Sequence, residues 1–275
     1  MSPVDVTAWI GRSEKAYDEI SFGNIQRIAA TLSEVRPGWG SPLPPLWQWC
    51  FFQKNAPESE LGIDGHPTRG GYLPTVENRN RMWAGGRIDF YTPLIIGTAA
   101  TRVTTIKNAQ EKVGKAGNLL FVTVEHKYIQ DDIVAIREEQ DIVYRDPTPL
   151  TLKCSAPIPD ADWVEEIKPT STLLFRYSAI TFNSHRIHYD WPYATECEGY
   201  PGLVVHAPLI ATLTLRAFCR ANPEAKLKHF SYRSICPLFS PEPFKLGGTI
   251  QSPGRGMIWA GSDTGVAQQG EVIFE

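Results

Sequence analysis

The sequence has few cysteines and none in the spacing of a metal site. The five cysteines stand at positions 50, 154, 197, 219 and 236, so no Cys-x-x-Cys pair occurs. An odd number of cysteines without such a pair argues against both a disulfide framework and a zinc ribbon. We therefore expect reduced thiols.

The chain also lacks an excess of basic charge and any long apolar run. Lysine and arginine total 27 against 30 for aspartate and glutamate, which gives a net charge of −3. No overall basic field attracts nucleic acid or an anionic membrane. The segment from Met1 to Asp5 has no basic or apolar leader character, and no apolar run is long enough to span a bilayer. These absences predict a cytoplasmic protein without nucleic-acid or membrane partners.

Common nucleotide and nucleophile motifs are missing as well. The sequence has no G-x-S-x-G elbow, no P-loop and no G-x-G-x-x-G that follows a strand. What it does have is 42% hydrophobic residues together with 22 glycines and 22 prolines, the composition of a loop-rich globular protein. Its 275 residues fit one large domain or two fused smaller ones.

The first half reads as helices followed by a strand meander. Apolar residues at mostly helical spacing predict one or two amphipathic helices from Val6 to Leu32. The apolar run from Leu46 to Phe52 predicts a buried helix that Pro45 enters at its first turn. Alternating segments then predict antiparallel strands, which include 98–106, 119–128 and 133–144.

A duplicated unit is the simplest organisation. The chain is rich in proline and polar residues around 149–169, which we interpret as a linker between domains 1–148 and 170–275. Ser21 and Thr181 stand in similar tripeptides 160 positions apart (181 − 21). Two further echoes follow in the same order: Pro45-Leu46 with Pro208-Leu209, and Pro93-Leu94 with Pro237-Leu238. The fold class is then α+β.

The densest polar cluster of the chain runs from Thr181 to Asp190 and holds two histidines, His185 and His188. Imidazoles move protons near neutral pH, although a turn with surface histidines is the plain alternative. Downstream, a Gly/Pro turn and a short apolar strand lead into a helix that starts near Pro208, and the Ala207 amide there could hold a developing oxyanion. An ordinary strand-to-helix junction is the alternative at this point. Together the two features favour enolate chemistry.

A metal site in the same cluster is the weaker interpretation. His185, His188 and Asp190 are ligand types, but they lie in an irregular stretch and no further ligand pair stands nearby. We therefore expect no metal ion.

Long motifs give the chain a family likeness. Residues 178–190 and 200–213 resemble the active-site half of the MaoC-like double hot dog hydratases, and within them the branch of mesaconyl-C4-CoA and itaconyl-CoA hydratases. In the first half, residues 43–49, 81–86 and 141–145 are also similar to that branch. The resemblance implies two antiparallel sheets, each wrapped round a long central helix, with a thioester tunnel between the halves.

The resemblance also implies the addition of water to an unsaturated acyl-CoA, with itaconyl-CoA giving citramalyl-CoA as the favoured reaction. The family motif has Asp and His five positions apart, and Asn183 and His188 occupy these positions here. An amide orients water but takes no proton, so acid/base duty falls on His188. The oxyanion donor of the family corresponds to the Ala207 N–H, and Asp190 either orients an imidazole or caps a helix, with the cap favoured.

The 160-residue offset places Gly23 and Ile28 opposite the catalytic pair, so we expect one active site per chain, with the first half as tunnel wall. The substrate carries a free carboxylate that an arginine fork would bind. The candidate substrate-binding residues are Arg186, His185, Arg69 and Arg233 near the acyl group, and Lys226 and Lys228 for the CoA phosphates. CoA is part of the substrate, no separate cofactor is expected, and a homo-oligomer is possible.

Two other functions compete with this hypothesis. A 3-hydroxyacyl thioester dehydratase of fatty acid synthesis would have an apolar tunnel end in place of an arginine. A non-catalytic acyl-CoA-binding subunit would account for the missing aspartate at position 183.

Overall fold

Strands dominate the structure, as the alternating segments predict. The structure is a computed structural model that describes residues 6–68, 72–73, 80–114, 117–145, 152, 154 and 156–275. Arg69 and the predicted boundary at residue 148 lie outside the described residues.

Ten strands form one antiparallel sheet, and a separate two-stranded pair lies beside it. The first half contributes β1 (Ser13–Glu19), β2 (Asn80–Phe90), β3 (Ala99–Gly114), β4 (Gly117–Gln130) and β5 (Ile133–Arg145). The second half contributes β6 (Trp163–Ile167), β7 (Leu203–Val204), β8 (Leu227–Ser234), β9 (Phe239–Ser240), β10 (Phe244–Ser252), β11 (Arg255–Ser262) and β12 (Gly265–Phe274). The helices are α1 (Phe22–Leu32), α2 (Ser171–Ile180) and α3 (Ala207–Ala221).

The two halves share one topology. From the centre of the sheet outward, the first half runs β2, β5, β4, β3, β1 and the second half runs β8, β12, β11, β10, β6. Without the short β7–β9 pair, strand order within each half is therefore identical. Each half also places a helix after its first strand, α1 or α2. The duplication and the predicted α+β double hot dog fold are confirmed.

The halves join edge to edge where β2 pairs with β8. Gly85 lies opposite Arg233 and Asp89 opposite His229 in this pairing. A Cβ atom on Gly85 would lie 2.3 Å from the Tyr232 carbonyl oxygen, so only glycine permits this approach of the two backbones. The junction turns two five-stranded sheets into one.

Helix α3 is the central helix of the second half. Nine of its residues are buried, and its apolar side chains share one core with the inner sides of strands β8 and β10 to β12. Thr212 and Thr214 lie inside this core, and their hydroxyls donate to the carbonyls of Pro208 and Ile210. These bonds satisfy the polar groups that burial removes from water. No helix in the described ranges has the length and apolarity needed to cross a membrane.

No helix in the described part of the first half corresponds to α3. Trp47–Cys50 forms a single 3-10 turn where the sequence predicted a buried helix, so that expectation is wrong. Leu46 and Phe52 flank the turn with φ values of 68° and 58°, a left-handed conformation that ends a helix on both sides. The side chains of the run are nevertheless buried, and Trp49 Nε1 donates to the buried carboxylate of Glu138 at 2.8 Å.

Two strands lie where the sequence predicted a helix and a linker. β1 lies within the stretch assigned to amphipathic helices, because its exposure alternates with period two and it pairs with β3 along its whole length. β6 lies within the segment 149–169 assigned as a linker, and it forms the sheet edge beside β10. Only the remainder of that segment is free of a strand among its described residues.

The predicted offset of 160 residues is also wrong. Ser21 caps the start of α1, whereas Thr181 follows the end of α2. The two helices begin at residues 22 and 171, which is an offset of 149 (171 − 22). Gly23 and Ile28 therefore lie on α1 and do not correspond to the residues of the cluster that follows α2. Of the other two echoes, Pro93-Leu94 and Pro237-Leu238 follow the corresponding strands β2 and β8. Pro45-Leu46 precedes the 3-10 turn Trp47–Cys50, whereas Pro208-Leu209 lies in the first turn of α3.

One disulfide contradicts the expectation of reduced thiols. Cys154 is bonded to Cys236, with their Cα atoms 5.6 Å apart, whereas Cys50, Cys197 and Cys219 are free. The bond ties the segment before β6 to the loop after β8. Disulfides are uncommon in the cytosol, so the cytoplasmic location stays a prediction.

We predict that Gly85→Ala weakens the junction of the two halves. The added methyl group meets backbone atoms of the facing strand, which cannot move aside as a side chain can, and we expect a loss of about 1–3 kcal/mol in the free energy of unfolding. Gly23→Ala is the control, since the nearest atom to its Cβ is the end of a flexible arginine side chain 3.9 Å away. Urea unfolding of both variants measures the difference, and equal stabilities would contradict the close approach.

Candidate active site

His188 lies in the loop that follows α2, in a short 3-10 turn formed by Arg186–His188. Its side chain is buried, and Nδ1 lies 2.7 Å from the carbonyl oxygen of Val204. Because a carbonyl only accepts, Nδ1 carries the hydrogen in the neutral ring and Nε2 keeps a lone pair. The pKa of His188 is lowered to about 4. Burial is the main cause, the charge of His66 adds to it, and the hydrogen bond to Val204 acts in the opposite direction. The ring is therefore neutral at pH 7 and has the tautomer of a general base.

His206 stacks on His188. The ring centroids are 3.6 Å apart and the planes differ by 17°. Nε2 of His206 lies 2.8 Å from the hydroxyl of Ser178, while Nδ1 is buried with no partner in the described part of the chain. Burial lowers the pKa of His206 well below its usual value, and His188 and His185 add to this effect. Two neutral imidazoles thus lie face to face in the core.

A row of four histidines extends from this stack to the first half. The His185 ring lies 5.5 Å from that of His188 and 4.1 Å from that of His66. His66 Nδ1 in turn lies 3.1 Å from Asp64 Oδ2. The row holds four of the six histidines of the chain. The first half thus contributes one ring to the row, and its role as tunnel wall stays a prediction.

The loop 61–68 of the first half is attached by several hydrogen bonds to the loop that follows α2. This second loop, residues 183–190, holds the predicted base and is called the catalytic loop below. Arg186 donates from its backbone N–H to the Asp64 carbonyl at 2.9 Å and from Nη1 to the Ile63 carbonyl at 3.0 Å. The Ser184 hydroxyl donates to the Gly65 carbonyl. Gly65 has a φ of 83°, and a Cβ there would lie 1.9 Å from the Ser184 carbonyl oxygen. This contact requires glycine for both its conformation and its size.

Asn183 shapes the turn that holds the row. Its Oδ1 accepts a hydrogen bond from the backbone N–H of His185 at 3.0 Å. Such a bond is typical of asparagine in turns. The predicted water between Asn183 and His188 stays a prediction.

Arg186 is occupied by partners within the protein. Its guanidinium binds Asp190 Oδ2 through Nε and Nη2, at 2.9 and 2.7 Å, and lies over the Tyr193 ring. Asp190 Oδ1 accepts from the Tyr193 backbone N–H at 3.2 Å, which confirms the predicted cap. A substrate carboxylate at Arg186 would therefore compete with Asp190.

Ala207 begins α3 directly after His206, so its N–H lies beside the histidine stack. The first N–H groups of a helix have no intrahelical acceptor, and the Ala207 carbonyl accepts from Gln268 Nε2 at 3.1 Å. The positive end of the α3 dipole thus points to the same place as the stack. The oxyanion role of the Ala207 N–H stays a prediction.

The other basic candidates lie away from the stack. Arg233 is exposed on β8, on the face opposite the buried Phe230 and Tyr232. Lys226 and Lys228 come after the C-terminal end of α3, a helix about 22 Å long, and Lys228 pairs with Glu275 at 3.0 Å. Substrate contact by these three residues stays a prediction.

Asp64 and two histidines of the row could also hold a cation. The ligand atoms of Asp64, His66 and His185 lie within 4.8 Å of one another, the one such group in the described ranges. Asp64 and His66 are already hydrogen bonded to each other. Because of this hydrogen bond, we interpret Asp64 and His66 as a carboxylate–imidazole pair.

Sequence reasoning missed four residues of this site: Asp64, His66, Ser178 and His206. Asp64 and His66 stand in an Asp-Gly-His-Pro run whose composition is typical of any turn. Only their contact with the second half distinguishes them, and no local pattern encodes it. The one signal for His206 in the sequence was its position directly before the predicted start of α3, where the oxyanion donor was expected.

We predict that acid weakens the fold partly through His188. Its pKa is about 4 in the folded protein against 6.5 for an ordinary histidine, so the unfolded chain binds the proton more readily. Stability that is present above pH 6.5 is then lost as the pH falls towards 4, by about 2 kcal/mol at pH 5 for this residue. Urea unfolding at pH 7 and pH 5 should show a smaller loss for His188→Gln than for the wild type. Equal losses would contradict the assignment.

We also predict that Gly65→Ala detaches the loop 61–68 from the catalytic loop. The backbone clash with Ser184 adds to the strain of a positive φ, for a total of about 1–3 kcal/mol. Gly11→Ala is a matched control, because Gly11 has a φ of 85° and no atom within 4 Å of its Cβ. Thermal unfolding should therefore separate the two variants, and similar melting temperatures would argue against the docked loop.

Comparison with known proteins agrees with this fold. The family model of hydroxyacyl-thioester dehydratase type 2 matches residues 46–240. The mesaconyl-C(4)-CoA hydratase of Chloroflexus aurantiacus is 48% identical over 255 residues, which cover 90% of this chain and 89% of the relative.

Two solved structures show the same fold. A MaoC-like dehydratase from Phytophthora capsici has a TM-score of 0.75 at 15% identity, with 99% of both chains covered. A Mycobacterium tuberculosis protein with a double hot dog fold has a TM-score of 0.58 at 12% identity, with 97% of this chain and 96% of that chain covered. The chain has the double hot dog fold and belongs to the hydroxyacyl-thioester dehydratase type 2 family.

Proposed function

We propose that the protein adds water to the CoA thioester of an unsaturated dicarboxylic acid. Itaconyl-CoA, the substrate expected from the sequence, and mesaconyl-C4-CoA both give citramalyl-CoA. The name of the Chloroflexus aurantiacus relative supports the second substrate. The observation that carries the proposal is the neutral His188, fixed by Val204 and placed beside the start of α3.

The proposed reaction uses one imidazole for all proton transfers. Itaconyl-CoA has its double bond between the β- and γ-carbons, so His188 first moves a proton from the α-carbon to the γ-carbon, which gives mesaconyl-C4-CoA. In this conjugated thioester, Nε2 of His188 takes a proton from water while the water oxygen bonds to the β-carbon. The electrons of the double bond move to the thioester oxygen, where the Ala207 N–H and the α3 dipole stabilise the negative charge. His188 then returns the proton to the α-carbon, so atoms and charge balance without a metal ion or redox cofactor.

Recognition of the free carboxylate is the open part of this scheme. Arg186 would have to release Asp190, and Arg233 faces away from the core. His185 lies next to His188 and remains a candidate for substrate contact.

The reverse reaction on a 3-hydroxyacyl thioester is the second candidate function. The matching family model describes a dehydratase, and loss of water passes through the same enolate with the same two groups. A non-catalytic acyl-CoA-binding subunit is the third possibility. The choice among them depends on which substrate turns over.

We predict that His188→Ala lowers kcat by at least about 100-fold, the usual contribution of a general acid/base. The assay follows uptake of ¹⁸O-labelled water by mass spectrometry with itaconyl-CoA, mesaconyl-C4-CoA and crotonyl-CoA. His229→Ala is the control, because His229 pairs with Asp89 at the junction of β2 and β8.

Three other outcomes would change the assignment. Preference for crotonyl-CoA would favour the dehydratase. Full activity of His188→Ala would remove this residue from the mechanism. CoA-ester binding without turnover would support the binding subunit.

A further inference from the structure

The catalytic loop has no carboxylate available for its histidines. Asn183 occupies the position of the family aspartate, and its Oδ1 is bound to the His185 backbone. Asp190 pairs with Arg186 and caps Tyr193, so its oxygens are engaged too. When His188 takes a proton from water, these residues provide no free negative charge for the new cation.

A carboxylate reaches the histidine row from the other half. Asp64 Oδ2 lies 3.1 Å from His66 Nδ1, and Asp64 Oδ1 accepts from the His66 backbone N–H at 3.0 Å. Burial alone would raise the pKa of Asp64, but the hydrogen bonds from His66 and the charges of His66 and His185 lower it below the usual range. The group is therefore ionised at neutral pH.

The position of this carboxylate is fixed by the fold. Three hydrogen bonds join residues 63–65 to Ser184 and Arg186, and Gly65 is in backbone contact with Ser184. The His66 ring packs on His185 at 4.1 Å, and His185 meets His188 edge-on at 5.5 Å. A continuous set of contacts thus links the first-half carboxylate to the base of the second half.

We propose that Asp64 and His66 form the carboxylate–imidazole pair of the active site and act through His185 on His188. They are positioning residues. Asp64 holds the His66 ring by its Nδ1–H, His66 packs on His185, and His185 contacts the His188 ring edge-on. The negative charge of Asp64 also offsets the imidazolium that forms on His188 during the reaction. Asp64 itself stays ionised throughout.

This inference rests on the proposed function, and Asp64→Asn tests it with little disturbance. The asparagine keeps an oxygen for the His66 backbone N–H, so the loop stays docked while the charge is lost. We expect kcat to fall by about 10-fold or more with KM changed by less than about threefold, because an orienting carboxylate acts on the chemical step. Asp64→Glu should recover much of the loss, and His66→Gln should resemble Asp64→Asn.

Glu58→Gln is the matched control, since Glu58 is an exposed carboxylate in the turn before the same loop. It should leave kcat and KM unchanged. Thermal unfolding of each variant identifies loss of structure, and Asp64→Glu distinguishes charge from packing. A folded Asp64→Asn with kcat within twofold of the wild type would overturn the proposal.

A second measurement does not depend on substrate. In protein labelled at histidine ¹³Cε1, the His188→Ala variant assigns the His188 signal. Asp64→Asn should shift this signal, and Glu58→Gln should not. If the wild type hydrates none of the three thioesters but the signal shifts, the proposed function fails and the pair stands. If the wild type is active and Asp64→Asn leaves both signal and kcat unchanged, the pair fails and the function stands.

Discussion

The backbone pairing between β2 and β8 is the contact on which the site depends. It makes one sheet out of two five-stranded halves, with Gly85 allowing the strands to approach. Both segments that form the site lead towards this seam, since the loop 61–68 precedes β2 and the loop 183–190 with α3 precedes β8. The seam therefore brings Asp64 and His66 to the second-half histidines. A hot dog unit on its own would hold only part of the row.

The sequence predicts those parts of the molecule whose pattern is local. The alternation of apolar and polar residues predicts the strands β3 to β5, and Pro208 predicts the start of α3. The polar cluster and the family resemblance predict His188 as the acid/base. β1 was mistaken for helix because a short edge strand buries too little to show a clear pattern. The 3-10 turn at Trp47–Cys50 was mistaken for helix because composition does not record the positive φ of Leu46.

Contacts between the halves were beyond prediction for a different reason. Asp64 and Ser184 are far apart in sequence, and neither segment has a periodicity that requires the other. The pairing depends on a backbone contact at Gly65, which the sequence presents as an ordinary turn glycine. The stack of His188 on His206 could not be predicted for the same reason, because the two rings meet through packing in the core and not through their spacing in the sequence. Such features depend on tertiary packing, which no local sequence pattern encodes.

The reduced central element of the first half limits how this molecule can change. Trp47, Trp49 and Cys50 lie in the same apolar core as α3, but their single turn carries no helix dipole comparable with that of the 15-residue α3. New histidines in the first half would therefore lack an oxyanion partner. A second centre of the proposed kind would require replacing a whole segment, so the proposed function assigns the candidate base to one half and its support to the other.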